Sequence, residues 1–310
     1  MTSINAKRYA FNLIKLIISV FVIALISKKL KGSDLLNQIQ NIGFLYFIFA
    51  SIFIYIAIFF QASRWKIALH SLGYEKTYIN LFKETWIGSL YNQILPSSIG
   101  GDAVRIFRMK NTGVPLKKST NSIIIDRLFG LLSSLFLSAL ALPVFLDKTT
   151  DKLIVIYAHK IIWFILILLL ITLFFMYMKN ILPHKLNQIF EYIIHFIKRG
   201  NNRKNIMYMF ALSLLLQLCL TFSILFLSLN LNLEIDLLTF VLCFQLINLI
   251  SMIPISFAGW GVREGAFILI LGALNVPIEK SAAISVIYGC ALLAVSLPAL
   301  LISFSAREIN

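Results

Sequence analysis

Charge is what this sequence has least of. Aspartate and glutamate together number 13, and charged residues of both signs make up 13% of the 310 residues. A soluble domain carries about a quarter, so a sizeable soluble domain is excluded. Hydrophobic residues are 59% of the chain and mean hydropathy is +0.88. Cysteine is nearly absent: Cys219, Cys243 and Cys290 lie singly in apolar segments, which excludes a disulfide framework and reads as small core residues. The four histidines, His70, His159, His184 and His195, have no ligand spacing, so neither a metal nor a cofactor is expected. The chain has no Walker A, HExxH or G-x-S-x-G motif, and no catalytic residue is assigned. The class is an all-α polytopic membrane protein.

What the chain does carry is cation. Lys and Arg total 28, for a net charge of +15. The preferred reading is cytoplasmic-loop bias that orients the spans; attraction of anionic lipid head groups is a second reading compatible with the first. No nucleic-acid partner is expected.

One stretch departs from the apolar background. Asn92 to Arg108 reads NQILPSSIGGDAVRIFR, which cannot lie in lipid unless protein or water covers it. Pro96 stops a helix arriving from the N-terminal side. Gly100 and Gly101 let the backbone turn with N–H groups free, and Asp102 suits a helix N-cap. From Met252 the chain reads MIPISFAGWGVREGAF. Setting Pro96 on Pro254 aligns Ser98 with Ser256, Gly101 with Gly259, Val104 with Val262 and Arg105 with Arg263. The offset is 158 residues, about half the chain, so the sequence predicts a single membrane domain, 1–310, made of pseudo-repeats 1–150 and 151–310.

Hydropathy repeats in the same order. Apolar runs cover Tyr9–Ile26, Ile42–Ala62 and Leu128–Leu146 in the first half, and Ile161–Met178, Ile206–Leu233 and Ser281–Ala306 in the second. Arg64, Trp65 and Lys66 read as interfacial anchors closing the second run. Leu81–Ile99 is too polar for a lipid-facing span and reads as a helix that enters, breaks at Pro96 and returns. Leu237–Ile253 descends into the second motif and Ala266–Ile278 climbs out. Three crossings plus one broken, re-entrant element per half oppose the two halves, giving an inverted repeat, with both termini cytoplasmic and most basic residues inside.

Each motif offers free N–H groups, a helix start and an arginine, a combination suited to phosphate. For Arg105 and Arg263, contact with an anionic ligand is preferred over pairing with Asp102, Asp126 or Glu264 alone. Arg108 and the lysines after it read as a solvated loop. Asn92 and Gln93 either line a polar path or bond between helices. Trp260 suits an interfacial anchor better than a stacking platform. Gly261-x-x-x-Gly265 is a small-residue helix contact, and Asp126-Arg127 is an internal ion pair at a span entrance. The candidate substrate-binding set is therefore Arg105, Arg263, Gly100, Gly101, Asp102, Asn92, Ser98, Ser256, Gly259, Gly261 and Glu264, with Pro96, Pro254, Asp126, Arg127 and Trp260 shaping the motifs.

The run Asn92, Leu95-Pro96, Gly100-Gly101-Asp102-Ala103-Val104-Arg105, then Asp126-Arg127, then Pro254-x-Ser256-x-Ala258-Gly259-Trp260-Gly261-Val262-Arg263-Glu264 resembles the transmembrane, flippase-like domain of the lysylphosphatidylglycerol synthase family over nearly the whole chain. In that family this domain stands alone or is fused to a soluble aminoacyl-transferase domain. The chain ends at Asn310, directly after its last apolar run, so the resemblance implies the lipid-handling part without the synthase, and not an enzyme. It implies a flippase or transporter in a bacterial or archaeal cytoplasmic membrane, with an anionic phospholipid or polyprenyl-phosphate as partner. Two alternatives stay open: an integral membrane transferase acting on a lipid-linked sugar or amino acid, and a scaffold for a separate glycosyltransferase.

Overall fold

The computed structural model describes residues 32–95, 100–149, 202–253 and 259–305. The expected spans Tyr9–Ile26 and Ile161–Met178, the motif residues Pro96, Ser98, Pro254, Ser256 and Ala258, and both termini lie outside the described residues. All regular structure among those described is helical: α1 (Gly32–Ile42), α2 (Phe44–Ser71), α3 (Tyr78–Ile94), α4 (Gly100–Asn111), α5 (Leu116–Lys148), α6 (Asn202–Ser228), α7 (Leu237–Ser251), α8 (Val262–Gly272), α9 (Ile278–Ser296) and α10 (Ala299–Ser305). A 3-10 turn, Leu229–Leu231, follows α6.

Four helical stretches among the described residues are long and apolar enough to cross a membrane: Phe44–Ser71, Leu116–Lys148, Arg203–Leu231 and Ile278–Ser303. At 1.5 Å per residue each exceeds the roughly 30 Å hydrocarbon core. The helix runs past the apolar run at the C-terminal end of the first stretch, both ends of the second and the N-terminal ends of the third and fourth, because polar residues continue the helices there. Gly43, with φ +82°, separates α1 from α2; that backbone conformation favours glycine. Short α1 places Leu35, Ile39 and Ile42 on one face against the main core, following the spacing of an amphipathic helix. Helix α5 starts at Leu116 behind Pro115, whose fixed φ suits a helix entrance. Asp126 and Arg127 therefore sit ten residues or more inside α5, not at a span entrance.

Helix α3 ends at Ile94 and Leu95 turns extended, one residue short of Pro96. Helix α4 resumes at Gly100 with Asp102 in its first turn. Asp102 is thus inside the helix and not its N-cap, as the sequence suggested. Arg108 corrects a second expectation. It is no solvated loop residue, because its Nε and Nη2 grip the Glu84 carboxylate of α3 at 2.5 and 3.0 Å.

The helix order recurs. Adding 158 to the bounds of α2 gives 202–229, against 202–228 for α6; α3 gives 236–252, against 237–251 for α7; α4 gives 258–269, against 262–272 for α8. Helices α2 and α6 pack along their length. Phe49 stacks on Phe226 and Phe53 lies against Phe222, so numbers rise on one helix as they fall on the other and the pair is antiparallel. Trp86 of α3 donates to the Val295 carbonyl of α9. The same pair shifted by half the chain falls within one residue of Ser138 of α5 donating to the Gln245 carbonyl of α7.

Apolar packing concentrates in one large core built by α1, α2 and α5–α9, around Phe145, Phe240, Phe244 and Phe267. A second core, Trp65, Leu69, Leu81, Met109, Ile123 and Met209, closes the opposite end of α2 and supports the buried charges described next.

Candidate functional site

Five ionised side chains meet where α2, α4 and α5 cross. Arg64 donates from Nε to Asp126 Oδ1 at 2.7 Å and from Nη1 to Ser213 Oγ at 2.8 Å. Arg127 donates to Asp102 Oδ2 at 2.6 Å. These two close pairs leave Arg105 as the third cation, held at arm's length from both carboxylates: its Nη1 is 3.4 Å from Asp102 Oδ1 and 3.6 Å from Asp126 Oδ2. The guanidinium lies over the Trp65 ring, 4.0 Å from its centroid, a cation–π contact. Trp65 is in turn fixed by its indole N–H donating to Ser122 Oγ at 3.0 Å.

Four of the five, Arg64, Asp102, Arg105 and Asp126, are buried, with Asp126 fully so, whereas the Arg127 side chain is 45% exposed. Three guanidinium groups face two carboxylates, so the set carries one uncompensated positive charge. Arg105 Nε and Nη2 and Asp126 Oδ2 receive or make no hydrogen bond among the described residues. Leaving two donors of a buried guanidinium unpaired costs free energy, which an incoming anion would recover.

The backbone creates the room. Gly88 on α3 faces the Arg105 stem, where a β-carbon would lie 2.6 Å from Cδ. Gly101 packs on the Gly88 carbonyl, and its N–H is donated to Asn92 Oδ1 at 2.8 Å. The sequence expectation of a free N–H at Gly101 is therefore corrected: Asn92 takes it, bonding between helices. Gly100 opens α4 beside Leu95.

The second motif is built differently. Gly259 and Gly261 both have positive φ, 84° and 88°, conformations that glycine adopts readily. Glu264 folds back so that Oε2 accepts the Gly261 N–H at 2.5 Å, the reach-back half of a capping box. This N–H too is taken, contrary to expectation. Glu264 Oε1 accepts from Arg263 Nη2 at 2.9 Å and from Ser285 Oγ at 3.2 Å. The Arg263 guanidinium lies 4.7 Å from the Trp260 centroid and 6.0 Å from that of Tyr288, wedged where a β-carbon on Gly289 would meet Nη2 at 2.3 Å. This pair is charge-neutral. Trp260, half-buried, packs on the arginine. Among the described residues Gly265 makes no close helix contact, since a β-carbon there would meet nothing within 4 Å.

Arg105 touches α2, α3 and α5, whereas Arg263 touches α8 and α9, and no residue named above belongs to both sets. Asp126 and Arg127 each find an ion-pair partner on another helix. Sequence reasoning missed Arg64 and Trp65, both buried where interfacial anchors were expected. Among the described residues no group of three or more His, Cys, Asp or Glu is placed to hold a metal ion.

The chain matches the family model described as the lysylphosphatidylglycerol synthase TM region over residues 12–299, and it belongs to that family. It is also similar to a UPF0104 membrane protein of Archaeoglobus fulgidus, 25% identical over 201 residues that cover 65% of this chain and 60% of that protein. The chain thus spans less than two thirds of the curated relative's length. Family membership and the four long apolar helices make this a multi-pass membrane protein.

Proposed function

We propose that this member of the family is a lipid flippase or transporter that handles a phosphate-bearing head group in a prokaryotic cytoplasmic membrane. The single observation that carries the reading is the surplus cation: Arg105 is buried, lies on Trp65, and keeps Nε and Nη2 unpaired while its two carboxylate neighbours are committed to Arg64 and Arg127. A phosphate oxygen pair matches that open edge of the guanidinium fork, and the lipid environment makes a phospholipid or polyprenyl-phosphate the available anion.

Helix recurrence and the antiparallel α2–α6 pair support two halves of opposite orientation, the inverted design in which a substrate sits near the midplane beside broken helices. In this reading both termini are cytoplasmic. The first motif receives the phosphate at Arg105. The second holds Arg263 in reserve against Glu264, released when the head group offers a competing anion. Glu264 orients Arg263.

The test is translocation of head-group-labelled phosphatidylglycerol, and separately of a short polyprenyl phosphate, in proteoliposomes. A charge-assisted hydrogen bond is worth roughly 1.5–3 kcal/mol, so Arg105→Ala is expected to slow transport by about tenfold or more. Arg105→Lys keeps the charge without the fork and falls between. Wild-type rates in the Arg105→Ala plus Arg263→Ala variant refute the reading.

A further inference from the structure

From the first arginine cluster, a line of buried polar side chains crosses the apolar interior between α5, α6 and α7. On α6, Ser213, Gln217 and Thr221 recur every four residues and are all buried, which places them on one helix face. On α5, Asp126, Gly130, Ser134 and Ser138 follow the same spacing.

Both rows begin at Arg64. It bonds Asp126 and Ser213, and its Nη1 would lie 3.3 Å from a β-carbon on Gly130. Both rows end at Gln245 of α7. Its Nε2 donates to Thr221 Oγ1 at 2.5 Å, and its main-chain carbonyl accepts from Ser138 Oγ at 3.0 Å. Asn248, one turn on, donates to Gln217 Oε1 at 2.7 Å. Helix α7 ends at Ser251, so the seam runs from the first charged cluster to the helix that delivers the second motif. Along α5 it extends about 18 Å at 1.5 Å per residue.

Hydrogen bonds between helices are ordinary glue in a membrane bundle, and glue leaves no polar atom over. Here two are left over. Gln245 Oε1 and Ser134 Oγ, on residues 3% and 0% exposed, have no hydrogen-bond partner among the described residues. A buried amide oxygen and hydroxyl on facing helices supply the two or more polar partners that an ordered water requires.

We propose that Ser134, Ser138, Gln217, Thr221, Gln245 and Asn248 line a hydrated track that binds a chain of water, and that a polar head group follows it between the Arg105 cluster and α7. The second clause rests on the lipid-transport reading; the first does not.

Water is read by thiol chemistry, because the thiolate attacks a methanethiosulfonate, forming a mixed disulfide and expelling methanesulfinate, and thiolates form only where water reaches. Ser134→Cys is introduced into the full chain with Cys219, Cys243 and Cys290 replaced by alanine, reconstituted in vesicles and checked for an unchanged elution profile. Leu132→Cys, two residues away and 45% exposed on the outer face, is the lipid-facing control. Restoring Cys243, fully buried in the main apolar core on α7, gives a dry control. With the small reagent methanethiosulfonate ethylammonium, Ser134→Cys is expected to react at least tenfold faster than either control. Adding Gln245→Leu is expected to slow it severalfold. A Ser134→Cys rate no greater than that of the controls overturns the proposal and leaves the seam as dry glue. Labelling needs no lipid movement. A dry seam therefore leaves the Arg105 reading standing, and a transport test that fails while Ser134→Cys is labelled removes that reading and leaves the water site.

Discussion

Gly88 and Gly101 meet backbone to backbone: a β-carbon on residue 101 would fall 1.9 Å from the Gly88 carbonyl oxygen. That carbonyl cannot move without disturbing α3, so the crossing of α3 and α4 depends on glycine at 101. Overpacking of a tight site costs about 1–3 kcal/mol and sometimes more, and Gly101→Ala is expected at the upper end or beyond. Gly88→Ala differs in kind. Its β-carbon meets the Arg105 stem, at 2.6 Å from Cδ and 2.8 Å from Cγ, and a side chain gives way more readily than a backbone. Thermal unfolding in detergent is expected to fall more for Gly101→Ala than for Gly88→Ala, while Gly88→Ala loses head-group transport out of proportion to its stability.

The Arg64–Asp126 pair tests whether the buried charges hold the bundle together. Removing one partner of a buried pair costs roughly 3–5 kcal/mol, because the other charge is left uncompensated, whereas apolar replacement of both is often near neutral. Asp126→Leu, which leaves three guanidinium groups facing Asp102 alone, is therefore expected to destabilise strongly, and Arg64→Leu with Asp126→Leu, which restores the original net charge, to recover most of the loss. Unfolding free energies by steric trapping would measure this. Equal losses in the single and double variants would mean that the stranded Arg64 charge contributes nothing to the loss.

Composition and spacing carried much of this architecture. Apolar runs located α2, α5, α6 and α9, and Pro96 marked the end of α3, because desolvation and the missing proline N–H act locally. The partnership of Arg64 was not legible. An arginine and tryptophan at the end of an apolar run look alike whether they snorkel to the interface or turn inward. What decides is Asp126, 62 positions on, which the fold brings to 2.7 Å. The glycine N–H groups were misread for a related reason. Gly101 and Gly261 were open by local geometry, yet Asn92 and Glu264 close them, and the offset between the motifs hides that only the first pairs its arginine with two already-committed carboxylates.

Glu264 does three things at once: it caps the Gly261 N–H, pairs Arg263 and accepts from Ser285. Glutamine keeps an oxygen for the cap but loses the charge. Glu264→Ala loses everything and strands a buried guanidinium, at a cost of roughly 3–5 kcal/mol. The expected order of stability is wild type, then Glu264→Gln, then Glu264→Ala, read as melting temperature. An Ala variant no less stable than the Gln variant would show that the capping bond contributes nothing.

Asp236 gives a pH signature outside the spans. Its carboxylate accepts the Thr239 N–H at 3.0 Å and the Thr239 hydroxyl, capping α7, and these bonds, with Lys148 nearby, hold its pKa below the usual carboxylate value. A depressed folded-state pKa adds stability that is present above the unfolded value, near 4, and is lost as pH falls through the folded value. Melting temperature is thus expected to drop on acidification below about pH 4, and Asp236→Asn, which retains a cap but no titration, to flatten that part of the profile.

Asp102 separates two roles for the carboxylates around Arg105. If Asp102 only steers Arg105, neutralising it weakens phosphate binding. If it competes with the phosphate for the guanidinium, neutralising it strengthens binding. The geometry favours competition: Asp102 reaches Arg105 only at 3.4 Å on Nη1, spends its short bond on Arg127, and leaves Nε and Nη2 open. Two charges about 6 Å apart interact by about 3 kcal/mol at an effective dielectric of about 20, so Asp102→Asn is expected to bind a phosphate head group roughly tenfold tighter or more. Trp65, under the guanidinium at 4.0 Å, reports occupancy by fluorescence once Trp86, Trp163 and Trp260 are replaced by phenylalanine. Titration with glycerol phosphate then decides. Tighter binding in Asp102→Asn identifies the carboxylate as the anion's competitor, and weaker binding identifies it as the residue that aims Arg105.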